Sequence, residues 1–232
     1  MTDTRSVLIA LDAVRDPELD EPVTSLGFVS SCTVSEDGAV EVRLRLPTYF
    51  CAPNFAFLMV ADAYEAVRGV VGVTETKVVL EDHFASDQIN AGVAARSGFV
   101  SSFDGEAEAE LDGLRVDFLR KALLAATDQA CRPLVAAGLS PEQLVSTTLG
   151  ELHPAKAERL QRKRRELGLP AEDSDALIVD PVTGEGIGVE ALPLHLRRAR
   201  LTGVSLEANG SICRGMLRER YATAGAGEEE RR

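Results

Sequence analysis

Residues 40–46 alternate strictly between apolar and charged side chains, and this pattern constrains the fold more than any other part of the chain. The alternating positions are Val40, Glu41, Val42, Arg43, Leu44, Arg45 and Leu46. Because successive side chains of a strand point to opposite faces, the segment predicts a strand with one buried face and one solvated face. The buried face needs a second layer of structure packed against it.

An amphipathic helix that follows this strand supplies the second layer. Pro53 suits the first helical position, and the apolar stripe consists of Phe57, Val60, Ala61, Tyr64 and Val67. A short helix is predicted over 4–14, and further strands over 28–34 and 73–80. The order helix, strand, strand, helix, strand predicts a small α+β domain.

The rest of the chain predicts a mainly helical second domain. Helices are expected over 114–137, 154–168 and 211–221, with one more starting at Ser140-Pro141, and strands over 176–179 and 202–206. Residues 97–113 are rich in small and polar side chains, which is typical of a linker. The predicted organisation is a domain over 1–96, a linker over 97–113, a mainly helical domain over 114–221 and a disordered tail over 222–232.

Composition excludes several classes of function. The net charge of −12 argues against general nucleic-acid binding, and the chain contains no Trp for stacking surfaces. Without a predicted signal peptide or membrane span, the protein is expected in the cytoplasm, with no membrane partner. Its four cysteines should then be thiols, and no pair has the spacing of a CxxC metal clip.

Cys51 is the strongest candidate for chemistry. It lies between a predicted strand and the helix that begins at Pro53, where unpaired backbone N–H groups favour a thiolate. Asp16 and Glu18 lie in a loop fixed by Pro17. Two carboxylates and a thiolate would suit weakly held iron. The alternatives are a half-buried core cysteine, a turn-capping Asp16 and a solvated Glu18.

A set of short motifs in the first domain resembles the iron–sulfur cluster assembly family that includes SufT and PaaD, a maturation protein of phenylacetate oxygenase. The motifs are Asp16-Pro17-Glu18, Leu26-Gly27-Phe28-Val29, the Gly38 hairpin, Thr48 with Cys51-Ala52-Pro53, and Gly72-Val73. The resemblance covers about residues 5–92. The chain departs from the family pattern at Ala52, which separates the cysteine from the proline.

The resemblance implies a maturation factor that assists iron or iron–sulfur cofactor assembly in a client protein, and not an enzyme. The implied cofactor is iron or an iron–sulfur cluster, transiently bound. Cys51, Asp16 and Glu18 match the functional cysteine and acidic residues of the family, and His83 is an additional candidate ligand. A surface histidine without a role is the alternative for His83.

The expected partner is a client iron protein, with the hydroxylase of a di-iron monooxygenase as the candidate, and the domain over 114–221 is assigned to client recognition. Self-association is left open. Two other functions are retained as alternatives: a chaperone or structural subunit that handles no metal, and a cysteine- or metal-dependent enzyme.

Two features of the second half allow more than one interpretation. The basic positions between 156 and 165 predict a solvated helix face, with docking of an acidic client as the alternative; they are Lys156, Arg159, Arg162, Lys163, Arg164 and Arg165. Core packing is predicted for Cys213, with a role as a second functional thiol as the alternative.

Overall fold

The computed structural model of the protein describes residues 2–103 and 111–229, with side chains as far as Ala222 in the last helix. The chain forms two compact units, and the first is discontinuous: it comprises Met1–Asp112 together with Asn209–Arg232, whereas the second comprises Gly113–Ala208. This division differs from the predicted domains, which place residues 209–221 with the second half.

The first unit has the predicted α+β composition. Its elements are α1 (Thr4–Leu11), β1 (Val29–Val34), β2 (Ala39–Arg45), α2 (Pro53–Arg68), β3 (Glu75–Glu81), α3 (Ser86–Ala94) and α4 (Phe99–Ser102). Helix α3 was not predicted, and α4 falls in the predicted linker over 97–113, of which residues 104–110 lie outside the described residues.

The three strands form one mixed sheet in the order β1-β2-β3. The β1–β2 pair is antiparallel, with Cys32 opposite Val42, whereas β2 and β3 are parallel, with Val42 opposite Val78. Helix α2 is therefore the crossover of a β-α-β unit. This topology brings the carboxyl ends of β2 and β3 to the same edge of the sheet.

The core of the first unit follows the apolar pattern of the sequence. Val40, Val42 and Leu44 are at most 2% exposed, while the charged residues between them are partly exposed, as predicted. Helix α2 covers the core with Phe57 and Val60 among its buried side chains.

The second unit is mainly helical, as predicted. It contains α5 (Asp112–Ala136), α6 (Pro141–Ser146), a 3-10 turn (Leu149–Glu151), α7 (Pro154–Glu166) and the first part of α8 (Leu192–Glu229). Helix α8 runs beyond the start of the predicted disordered tail, of which residues 230–232 lie outside the described part of the chain. None of the helices that are described is long and apolar enough to span a membrane.

Neither of the strands predicted in the second half forms as such. Residues 202–206 are helical within α8, so the helical context overrides the strand preference of Thr202 and Val204. In the segment 176–179, Ala176 and Val179 make only isolated bridges.

The basic residues of α7 do not form a uniformly solvated face. Lys163 is 1% exposed and Arg164 is 0% exposed. The Arg164 guanidinium donates to the carbonyl oxygens of Pro170 at 3.2 Å and Leu177 at 2.7 Å. The prediction of a solvated face is therefore wrong for these two residues. The hydrogen bonds of the Arg164 guanidinium connect α7 to the segment that follows it.

Candidate functional site

The loops that leave the carboxyl ends of β2 and β3 lie side by side. The first carries Cys51 and the second carries His83. The Phe84 backbone N–H donates to the Tyr49 carbonyl at 3.1 Å, and His83 Nε2 lies 2.7 Å from the Cys51 carbonyl oxygen. The parallel pairing of the strands thus places the cysteine loop against the His83 loop.

His83 has a defined hydrogen-bonding role in this pair of loops. The Ala85 N–H donates to Nδ1 at 3.2 Å, so Nδ1 is an acceptor and Nε2 carries the proton that is donated to the Cys51 carbonyl. Burial lowers the pKa of His83, which is 3% exposed and not a surface histidine. To bind a metal, His83 would have to give up one of these two hydrogen bonds.

The Cys51 sulfur is half-buried at the entrance to α2. The Thr48 hydroxyl oxygen lies 3.3 Å from Cys51 Sγ and accepts a 3.3 Å hydrogen bond from the Phe50 N–H. Helix α2 begins at Pro53 with no side-chain cap, so the start of the helix beside Cys51 keeps its partial positive charge. Cys51 is therefore held by its own turn and partly open to solvent.

Asp16 is a buried carboxylate, 8% exposed, at the start of a tight turn. Its Oδ1 accepts from the backbone N–H groups of Glu18 and Leu19, each at 2.9 Å. This bonding matches the turn-capping alternative from the sequence. Burial raises the pKa of Asp16 to about 6, and those two N–H donors oppose that rise. Glu18 is exposed in the same turn.

Replacing Asp16 with Asn should raise the free energy of unfolding at pH 8 by about 1–3 kcal/mol. The pKa of about 6 in the folded protein exceeds the ordinary value of 3.8, so the folded state binds this proton more tightly. Stability is consequently lost as pH rises from about 4 through 6. Asparagine keeps an oxygen acceptor for the two N–H groups and carries no charge. Urea unfolding at pH 5 and pH 8 measures the difference.

The matched control is Glu36→Gln, in the exposed β1–β2 turn, which should change the free energy of unfolding at pH 8 by no more than about 0.5 kcal/mol. An Asp16→Asn protein whose stability follows pH as the wild type does would contradict the assignment of this pH dependence to Asp16.

Residues 209–214 of α8 lie beside the loop that contains Asp16, and no pattern in the sequence predicted this contact. The Asn209 side-chain amide lies 3.5 Å from Glu18 Oε1, and Arg214 pairs with Glu21 at 2.5 Å. Half-buried Cys213 lies between them in sequence. Burial raises the pKa of the Cys213 thiol to about 11, with further contributions from the charges of nearby acidic groups. The sequence marks Cys213 as a candidate only through its residue type. No local pattern predicted that it would lie near the first unit's acidic loop.

An exposed cluster of aromatic rings borders the cysteine loop. It consists of Tyr49, Phe50 and Phe84, which are 47%, 77% and 47% exposed. The Tyr49 and Phe50 ring centroids are 5.0 Å apart, and those of Phe50 and Phe84 are 6.0 Å apart. Contiguous exposed apolar side chains of this kind are typical of an interaction surface.

The predicted ligands are neighbours in part and do not form a closed metal site. Over residues 2–103 and 111–222, whose side chains the structure describes, no group of three or more His, Cys, Asp or Glu side chains is arranged to hold a metal ion. Cys51 and His83 are linked through the Cys51 backbone, while Asp16 and Glu18 share a turn. The ligand roles of these four residues stay predictions.

Comparison with known proteins adds the family context. Residues 4–79 match a family described as iron-sulfur cluster assembly protein. An uncharacterized protein of Methanocaldococcus jannaschii is 30% identical over 90 residues, which cover 93% of that protein and 39% of this chain. No solved structure matches the chain. Asp16, Glu18 and Cys51 lie inside the matched segment, whereas His83 and Cys213 lie outside it.

Proposed function

Because the chain belongs to the iron–sulfur cluster assembly protein family, we propose that it is a maturation factor that carries iron or an iron–sulfur cluster to a client protein through Cys51. The observation that carries the proposal is the partly open Cys51 sulfur in the loop at the carboxyl edge of the parallel strands, within the matched segment.

An open thiol suits a carrier, which must release its cargo. A closed site with four protein ligands holds a metal permanently, whereas a site with fewer protein ligands leaves positions for exchange. Thiolate sulfur binds iron of clusters, and the carboxylates of Asp16 and Glu18 would add hard oxygen donors. Iron or the cluster is therefore treated as cargo, bound transiently.

The hydrogen bonds of His83 favour this carrier role over cysteine-dependent catalysis. A nucleophilic cysteine normally needs a base that can take its proton. His83 uses Nδ1 as an acceptor for the Ala85 N–H and directs Nε2–H at the Cys51 carbonyl, so neither nitrogen serves the sulfur. We assign His83 the role of positioning the cysteine loop.

Within the family, we place the chain with the SufT and PaaD type, on the cysteine–x–proline turn and the Asp-Pro-Glu loop. The proposed client is a cytoplasmic iron protein, and the hydroxylase of a di-iron monooxygenase is the specific candidate. The exposed aromatic cluster beside Cys51 supports contact with a client at this edge of the first unit. Client recognition is also assigned to the second unit.

Replacing Cys51 with Ser should lower the iron content and activity of a co-expressed client hydroxylase by about tenfold or more, while the factor itself stays folded. Loss of a residue that supports a metal ligand typically lowers metal affinity or activity by about 10–100-fold. Loss of the ligand itself should lower them at least as much. Iron analysis of the purified client and its turnover rate measure the effect, and far-ultraviolet circular dichroism checks the fold.

Cys32→Ser is the control, since Cys32 is another half-buried thiol of the same unit that lies within strand β1. Normal client maturation with Cys51→Ser would leave a chaperone or structural role that handles no metal. Robust turnover of a small substrate by the isolated protein would instead establish an enzyme.

A further inference from the structure

A cavity of about 800 Å³ lies within the first unit, where the C-terminal segment of α8 meets the α+β domain. Three arginines line it: Arg45, Arg214 and Arg218. Every other lining residue that the structure describes is uncharged. The cavity is therefore a locally cationic site in a chain whose net charge is −12.

Three segments that are distant in the sequence build this cavity. One side of α8 contributes residues at intervals of three and four, which are Ser211, Arg214, Arg218 and Tyr221. The turn at Gly27 and the last residue of β2, Arg45, contribute the rest of the polar wall. Gly27 has a φ of 77°, and a Cβ there would lie 3.3 Å from the Leu217 side chain. Glycine at this position therefore lets the turn approach α8 closely.

The Arg45 guanidinium has no carboxylate partner among the described residues. Glu81 lies opposite Arg45 in the register of β2 and β3, but its carboxylate pairs with Arg43 at 2.8 Å. The Arg45 guanidinium instead lies over the Tyr221 ring, 4.6 Å from its centroid. Arg45 Nε is buried and has no hydrogen-bond partner in the described part of the chain. A buried donor of this kind is costly to leave unpaired, so a bound acceptor would stabilise it.

The two arginines of α8 also keep donors for a ligand. Arg218 is exposed and forms no ion pair with a described residue, and its Nε donates to the Arg214 carbonyl oxygen at 3.4 Å. Arg214 pairs with Glu21 at 2.5 Å through one of its nitrogens. Because a guanidinium carries five N–H donors, this pairing leaves others available. Glu21 thus neutralises one of the three cations, and the cavity keeps a net positive charge.

We propose that this cavity is a binding site for a small organic phosphate, separate from Cys51 and independent of the proposed function. A phosphate monoester carries nearly two negative charges and three strong acceptor oxygens. Guanidinium groups match that geometry and charge, and three of them line the cavity. A carboxylate has one charge and two oxygens, so it would use fewer of these donors.

The size and the apolar part of the wall favour an organic phosphate over inorganic phosphate. A volume of about 800 Å³ lies within the range of about 300–1,000 Å³ that is typical of small-molecule sites. Leu26, Leu217 and Tyr221 give the organic part of the ligand an apolar surface to contact. Because the contacts come from the Gly27 turn, β2 and α8 together, the ligand should also raise the temperature at which the first unit unfolds.

Isothermal titration calorimetry of the full chain with phenyl phosphate, in a buffer free of phosphate, tests the site. We expect saturable binding at one site, tighter than the binding of inorganic phosphate or of benzoate by about tenfold or more. Arg45→Gln and Arg218→Gln should each weaken the binding of phenyl phosphate by about tenfold or more, because each removes charge-assisted hydrogen bonds. Thermal melts without ligand establish that the variants are folded. Arg218 is exposed, so its replacement tests the site even if Arg45→Gln is unstable.

Arg68→Gln is the matched control, because it removes the same charge from the first unit at the end of α2, outside the cavity. It should change the affinity by less than about twofold, since salt screens distant surface charges. An equal loss of affinity in Arg68→Gln would show general attraction of anions and overturn the site. Absence of binding by the wild type would overturn it as well. Equal affinity for inorganic phosphate or for benzoate would overturn the assignment to an organic phosphate.

Discussion

In a chain that ends at Ala208, the first unit should be less stable by about 3–5 kcal/mol than it is in the full-length protein. The truncation removes Leu217, whose side chain is 5% exposed in the first-unit core. Loss of a buried leucine side chain alone typically costs about 2–5 kcal/mol. The two carbonyls that accept from Arg220 also lose their donor, and each lost hydrogen bond of this type contributes about 1 kcal/mol.

Amide hydrogen exchange, followed by mass spectrometry, measures this effect within the first unit. Protection of β2 should fall in the truncated chain, because the strand opens more often when global stability is lower. The matched control ends at Ala222, which retains Leu217 and Arg220 and should keep the protection of the full chain. Equal protection of β2 in both truncated chains would show that the first unit folds without its C-terminal segment.

Replacing Arg164 with Leu should destabilise the second unit by about 3–5 kcal/mol. Arg164 is 0% exposed and donates to the carbonyl oxygens of Pro170 and Leu177. Leucine would fill much of the space but leave both carbonyls without that donor, at about 1–3 kcal/mol each where they are buried. Burial lowers the pKa of Arg164 to about 10, so the side chain is still a cation at neutral pH.

Arg165→Leu is the control, because the next residue of α7 is exposed, and a change there should alter stability by no more than about 0.5 kcal/mol. Urea unfolding, monitored by hydrogen exchange of α5 and α7 amides, gives the comparison. Arg164→Leu with wild-type stability would mean that the cost of burying the guanidinium cancels its two hydrogen bonds, as occurs for some buried ions.

The sequence was most informative where the structure depends on a local pattern of side chains. The alternation of residues 40–46 gave the correct buried face of β2, and the stripe that contains Phe57 and Val60 gave the correct face of α2. In both elements, the spacing of apolar side chains along the sequence is sufficient to predict the buried face. The repeat of a strand or a helix places side chains of that spacing on one side. The same reasoning failed at 202–206, where the residues are helical within α8.

Burial of charge was harder to predict from local patterns. Arg164 and Arg165 are adjacent and of the same type, yet one is fully buried and the other exposed. Helical periodicity separates their faces, but a charged run gives no apolar stripe from which to infer which face points inward. The partners that make burial tolerable are carbonyls of the following segment, and backbone carbonyls have no sequence signature.

The sequence by itself determined that the first unit is a small α+β domain with Cys51 at the entrance to its main helix, and that Asp16 and Glu18 share a turn. Only the tertiary structure decided that the parallel pairing of β2 and β3 sets His83 against the Cys51 carbonyl, and that residues 209–222 return beside the acidic turn. Asn209 and Glu18 are 191 positions apart in the chain. Contacts at such separations depend on how whole elements pack, and no local periodicity records that packing.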